Sequence, residues 1–428
     1  MSLAAFFGAA GTGKTTRLMA ELERILSSRA LADGQRVLAI TRMHGARHRL
    51  DERLRKGPAK GRFECMTLDR LAWIVAARWR GRAEALQLPR VGELDFDATC
   101  ELAATLLHDR AVARWLSARF PVVIVDEFQD CRGGRLGIVK ALASVAETVV
   151  AADEFQDLAA DGASPSVEWV RGEITPTELS RVYRTNDTNL LGAATAIRSA
   201  KALVAGWGTF SLAIARNKDV AASFIAKQIC WARSRGKEVV LLAPTGPAKS
   251  RFVREALSRV AAKPIKDAKK KGVEYGPYSI EWERSADDSE THLREALAIP
   301  GNGVVTLSDL DRAKGVPGHE ELKHWAERRR SLKGQLTFSA TELRDAIARA
   351  TQQHRAHARP GRRLRAMTIH QAKNREFDQV IVLWPFEVQN DPERARRLLY
   401  NAVTRAKEKA LVIVQDPKEE RLAKAPFA

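Results

Sequence analysis

The sequence predicts an α/β protein of two parallel-sheet domains in tandem, each with a small inserted subdomain. Three observations lead there. A glycine loop, "GAAGTGKT" at residues 8–15, stands between an apolar run and an amphipathic stretch. Short apolar runs, "VVIV" at 122–125 and "TVVAA" at 148–152, follow with helical sequence between them, the spacing of strand–helix–strand units. A second set of such runs, at 238–244, 379–385 and 410–414, brackets the polar, lysine-rich sequence that begins near 262. The expected domains are 1–178, with a reduced insertion near 60–115, and 179–428, with one near 262–362.

The glycine loop matches GxxxxGK[ST] in full. "LAAFF" before it reads as a strand rather than a leader, because no basic segment precedes it. Leu18, Leu22, Ile25 and Leu26 give the following helix one apolar face. Gly11 and Gly13 let backbone N–H groups turn inward onto phosphate oxygens, and the helix N-terminus adds partial positive charge. Thr12, Gly13, Lys14, Thr15 and Thr16 complete the cradle. In such a loop Lys14 meets the β- and γ-phosphates and Thr15 ligates Mg²⁺, so ATP or GTP is the expected ligand.

The letters DEFQD occur twice, at 126–130 and 153–157, each after an apolar run. The first copy places Asp126 and Glu127 where a strand emerges at the carboxyl edge of the sheet. There Asp126 can hold Mg²⁺ and Glu127 can polarise an attacking water. The second copy places Gln156 to sense a γ-phosphate, with Asp153 and Glu154 supporting the metal shell. No wider similarity flanks the copies, so they read as two parts of one site rather than a repeat.

Formal net charge is +19 and the sequence pI is about 10.1. Basic residues concentrate at 42–62, 263–271 and 354–365, a field suited to a polyanion such as nucleic acid. The four cysteines form no CxxC pair, and His319 and His324 are spaced five apart, so neither gives a metal signature. No run of 18 apolar residues exists, which points to a cytoplasmic protein with no membrane partner.

In order along the chain, these motifs resemble the UvrD/Rep branch of the superfamily 1 DNA helicases. "LAITRMHGARHRLDERL" (38–54) and "CMTLDRLAW" (65–73) are similar to segments on that family's DNA path. They imply DNA contacts at Thr41, Arg42 and Thr67. "ELSRVYRTN" (178–186) resembles the QNYRS motif, implying Tyr183 on adenine and Arg184 on the γ-phosphate. "AMTIHQAKNREFDQVIVL" (366–383) implies Glu376 on ribose and His370 near DNA, and "RRLLYNAVTRAKEKALVIV" (396–414) makes Arg405 a second arginine finger. The resemblance implies two RecA-like domains, ATP and Mg²⁺ as ligands, and 3′-to-5′ movement on single-stranded or partly duplex DNA.

Several features depart from that pattern. The glycine loop begins at residue 8, leaving no position for the family's upstream adenine-selecting Gln, so strict ATP preference is not expected. The aromatic segment that follows the second DxxQ in the family is missing. Trp169 is a candidate substitute but reads more readily as a core residue, and Arg42 stands where a stacking Phe is common. "VVTLSDLDRAKGVPG" (304–318) has an AKG of its own, but two extra residues separate its Thr from its Ala-Lys. The leading expectation is a DNA translocase or helicase. The alternative is a nucleic-acid-stimulated ATPase that recruits or regulates without unwinding. No nuclease constellation is present in the sequence, which leaves a separate nuclease open as a protein partner.

Overall fold

Six short runs of the first 180 residues assemble into one parallel sheet: β1 (Leu3–Gly8), β2 (Val37–Thr41), β3 (Phe63–Thr67), β4 (Val122–Val125), β5 (Glu147–Ala152) and β6 (Thr177–Leu179). Their order is β3-β2-β4-β5-β1-β6. Every residue of β2 and β4 is buried, as expected where helices cover both faces of a parallel sheet. The computed structural model describes residues 2–41, 44–89, 94–158, 164–183, 187–203, 208–267, 270–283, 286–298, 304–357, 364–388, 391–417 and 420–428.

One face of this sheet is covered by the helix Lys14–Ser28, whose Leu18, Leu22 and Ile25 pack with Val37, Ile124 and Val149. The other face packs against helices Leu68–Arg78, Phe96–Leu107 and Gly133–Ala143. Asp95 and Asp109 cap the helices that follow them, accepting bonds from Ala98 N at 2.8 Å and Ala111 N at 2.9 Å. Gly134 lets two of these helices meet: a Cβ there would lie 2.4 Å from the Glu101 backbone nitrogen. The helices between β3 and β4 thus build the sheet's second layer rather than a detached lobe. Trp169, half-buried, packs edge-on to Phe128 at the margin of this core with ring centroids 5.9 Å apart.

The second set of runs gives β7 (Phe210–Ala215), β8 (Val239–Ala243), the short β9 (Ile265–Lys266) and β10 (Glu274–Tyr275), β11 (Ile280–Trp282), β12 (Val304–Thr306), β13 (Thr337–Ser339), β14 (Leu364–Thr368), β15 (Phe377–Trp384) and β16 (Ala406–Gln415). Strands β8, β15, β16 and β7 lie side by side in that order, all parallel. The fold is therefore α/β with two RecA-like parallel sheets in tandem. By contacts the described residues divide into two units, 1–278 with 368–428, and 279–367. Both sheet cores belong to the first unit.

The unit 279–367 has its own small core. Helices Ala286–Leu297, His319–Lys333 and Ala340–His357 enclose Leu293, Leu322, Phe338, Leu343 and Ile347. The hairpin β12–β13 is antiparallel, while β11 pairs with β14 in parallel. The AKG of residues 313–315 follows β12 within this unit, through a 3₁₀ turn and not on a strand of the second sheet.

Candidate active site

The glycine loop leaves β1 at the carboxyl edge of the first sheet, where β4 and β5 also end. Gly11 and Gly13 both have φ of +80°, a left-handed backbone that other residues adopt only with strain. The Lys14 ammonium donates to the carbonyls of Gly8 and Ala9, each at 2.9 Å, and lies 3.8 Å from Asp153 Oδ2. Thr12 Oγ1 donates to Ala9 O at 2.8 Å, and Thr16 Oγ1 accepts from Arg53 at 3.3 Å.

The first DEFQD copy lies beside this loop. Thr15 Oγ1 donates to Asp126 Oδ2 at 3.0 Å, and the Glu127 N–H donates to Asp126 Oδ1 at 3.0 Å. Burial pushes the Asp126 carboxyl up to about 6, and the adjacent Glu127 adds to this against the pull of Lys14. Two crowded carboxylates beside a Thr hydroxyl form a donor set that suits a hard divalent cation. Glu127 itself has φ +58°, an uncommon conformation for this residue type, and its Oε2 accepts from Gln129 Nε2 at 2.6 Å.

The two DEFQD copies are joined directly. Gln129 of the first accepts the Asp153 N–H of the second at 3.0 Å. Asp153 is fully buried and accepts from Gln156 Nε2 at 2.8 Å and Arg198 Nη1 at 2.9 Å. Burial alone would raise its carboxyl, but Lys14 and Arg198 hold it below the ordinary value. Asp153 thus pairs with cations, while Glu154 turns out to Arg171 at 3.1 Å. Neither carboxylate joins Asp126 and Thr15 in the structure.

The helix Pro392–Val403 and the turn after it bring the second core to the same place. Tyr400 OH accepts the Ala10 N–H at 2.8 Å and donates to Asp153 Oδ2 at 3.3 Å. Arg405 is 3 % exposed; its Nη2 reaches Gln156 Oε1 at 3.5 Å and its Nε donates to Asn401 O at 2.9 Å. Lys373 donates to both oxygens of Asp130, at 2.5 and 2.8 Å. A cavity of about 270 Å³ lies alongside, between the start of the glycine loop and residues such as Leu190, Arg198 and Val403. Glu127, Gln156 and Arg405 therefore converge near Lys14 and Thr15. Gln129, Arg198 and Tyr400 also belong to this cluster. Gln129 and Tyr400 stand inside the quoted motifs, whereas nothing in the sequence pattern marks Arg198.

The other candidates are placed as follows. The Tyr183 N–H donates to Gly11 O at 2.7 Å, and its ring, 64 % exposed, lies over Gly13, where an added Cβ would be 3.6 Å away. Glu376 precedes β15, whose first N–H, on Phe377, donates to Arg405 O at 2.9 Å. Thr41 and Thr67 end β2 and β3 at the carboxyl edge. The Thr41 hydroxyl is buried with no hydrogen-bond partner among the described residues, and Thr67 caps the next helix through Arg70 N at 3.2 Å. His370 lies in the turn after β14. Desolvation, with Arg394 and Lys373 nearby, holds its imidazole below the ordinary value and hence neutral at pH 7. Arg42 and Arg184 lie outside the described residues.

Two family models match the chain: an AAA domain over residues 2–161 and a UvrD-like helicase C-terminal domain over residues 363–413. No curated protein matches it. Among solved structures it is similar to the Arterivirus nonstructural protein 10 helicase, with 10% identity and a TM-score of 0.39, over 98% of this chain and 61% of that one. It is also similar to a Pif1 helicase from Bacteroides, solved with ADP-AlF3 and single-stranded DNA, with 13% identity and a TM-score of 0.39, over 96% of this chain and 88% of that one. Among the described residues no helix is long and apolar enough to cross a membrane. The AAA match spans the glycine loop and both DEFQD copies, and the UvrD-like helicase C-terminal match spans His370, Glu376 and Arg405.

Proposed function

We propose that the protein is an ATP-driven translocase or helicase on single-stranded DNA. The observation that carries this reading is the meeting of Arg405, from the second core, with Gln156, from the first, next to Lys14. A site completed by two domains gives nucleotide turnover a way to change their relation, and so to alternate two grips on a strand. In this reading Lys14 and the loop amides bind the phosphates. Thr15 and Asp126 would hold Mg²⁺, which supplies charge neutralisation at the β- and γ-phosphates. Glu127 takes the proton of the attacking water, held in position by Gln129. Arg405, joined by Arg184, meets the charge that develops on the transferred phosphoryl group.

Tyr183 stacks on the base in this account, and Glu376 reaches the ribose. Thr41, Thr67 and His370, with the basic residues concentrated in sequence at 42–62, would follow the DNA backbone, and movement is assigned 3′-to-5′ from the family resemblance alone. The strong positive charge and the thinned stacking residues support binding dominated by phosphate contacts. ATPase rates with and without single-stranded DNA, beside a strand-displacement assay, test the proposal. Stimulation with displacement supports a helicase. Stimulation without displacement or translocation would select the regulatory ATPase instead, and no stimulation would remove both.

A further inference from the structure

Asp153 presents an electrostatic problem that the nucleotide reading makes sharper. Its carboxylate has no solvent exposure, and a buried charge persists only if paired and hydrogen-bonded. Gln156 and Tyr400 give it neutral donors, at 2.8 and 3.3 Å. Positive charge comes from two residues, Lys14 at 3.8 Å and Arg198 at 2.9 Å. Lys14 is also the group that must turn to the phosphates. As it does so, Asp153 keeps one adjacent full counter-charge, the guanidinium of Arg198. Were Arg198 absent, every approach of Lys14 to phosphate would strand a buried anion, and Asp153 would compete with the nucleotide for the ammonium.

Arg198 is built to stay where it is. It closes the helix Thr188–Arg198, which is capped at its start by Asp187. Its guanidinium lies 5.5 Å from the Phe155 ring centroid and 6.0 Å from that of Tyr400. Arg198 is thus held to Asp153 by a direct hydrogen bond and by stacking, whereas Lys14 makes its short bonds to loop carbonyls. We propose that Arg198 is a positioning residue: by holding the Asp153 carboxylate it releases Lys14 to bind the nucleotide phosphates. Because Arg198 follows β6, at the start of the second core, the same contact makes phosphate affinity depend on how that core sits on the first. The proposal rests on the nucleotide reading of the loop and adds a residue to it.

The test is equilibrium binding of a fluorescent, non-hydrolysable ATP analogue to the full chain. Arg198→Ala should weaken binding about tenfold or more, the scale expected when one partner of a buried charge pair is removed. Arg198→Lys should bind far better than Arg198→Ala, since it keeps the charge. Adding Asp153→Asn to Arg198→Ala should restore most of the lost affinity, because a neutral amide no longer draws on Lys14. A purely structural role for Arg198 would leave the double variant at least as weak as the single one, and that result would overturn the proposal. So would wild-type affinity in Arg198→Ala. If the wild-type chain fails to bind the analogue, the nucleotide reading itself falls and the proposal with it, an outcome told apart by the unsubstituted protein.

Discussion

Replacing Asp126 by Asn should abolish turnover and yet stabilise the nucleotide-free protein at neutral pH. The carboxyl is raised from 3.8 to about 6 by burial and by Glu127 beside it. A group with a raised folded value binds more protons in the folded than in the unfolded chain between those two pH values. Its ionisation therefore subtracts stability progressively as pH rises from about 4 to about 6, and the full cost persists above. A shift of about two units corresponds to about 3 kcal/mol. Asn cannot accept both of the bonds that Asp126 accepts, from Thr15 Oγ1 and the Glu127 N–H, so about 1 kcal/mol is lost again. The net expectation is a gain of about 2 kcal/mol at pH 8 that shrinks as pH falls, crosses zero between about pH 4 and 5, and becomes a loss of about 1 kcal/mol once the carboxyl is protonated in both states. Thermal midpoints of both proteins across this range measure it. Added Mg²⁺ and ATP analogue should raise the wild-type midpoint more than that of Asp126→Asn. Equal midpoints at pH 8, or a less stable variant there, would refute the reasoning.

Three further outcomes follow from the same geometry. Lys14→Ala should lose nucleotide binding, whereas Glu127→Gln should keep ATP bound and slow its hydrolysis by about 10²-fold or more; equal loss of binding in both would contradict the assignment. Tyr400→Phe leaves the Ala10 N–H without its acceptor and should cost about 1–3 kcal/mol, read as a lowered thermal midpoint, with an unchanged midpoint as the contrary result. Affinity for single-stranded DNA should fall with log salt at a slope of roughly −0.7 per phosphate contacted, and a flat response would assign the basic clusters to solvated surface.

The fold was legible because its signals are local. A glycine loop between strand and helix, and apolar runs that recur after helical sequence, are read from neighbouring residues alone. The meeting of the two DEFQD copies was legible too, since consecutive parallel strands end at one edge. What escaped is non-local. Arg198 is one arginine among 71 basic residues, and only the packing of its helix brings it to Asp153. The sequence placed Asp153 and Glu154 in support of the metal shell because both copies end at one sheet edge; the structure adds that Asp153 pairs with Lys14 and Arg198 and bonds to Gln156 and Tyr400. The difference is set by neighbours: Asp126 faces Thr15 and Glu127, while Asp153 faces Lys14 and Arg198. Trp169, read from the sequence as a core residue before a base-stacking one, packs half-buried on Phe128.

The central claim is that one site is completed by two cores and coupled to nucleic acid. Its most direct test is single-turnover hydrolysis at saturating ATP, with and without saturating single-stranded DNA, in wild type, Arg405→Ala and Arg405→Lys. The account predicts DNA stimulation in wild type and a loss of about 10³-fold in Arg405→Ala, with ATP affinity much less affected. Poor rescue by Lys is expected, because a point charge lacks the planar fork. Near-normal DNA-saturated turnover in Arg405→Ala would contradict it.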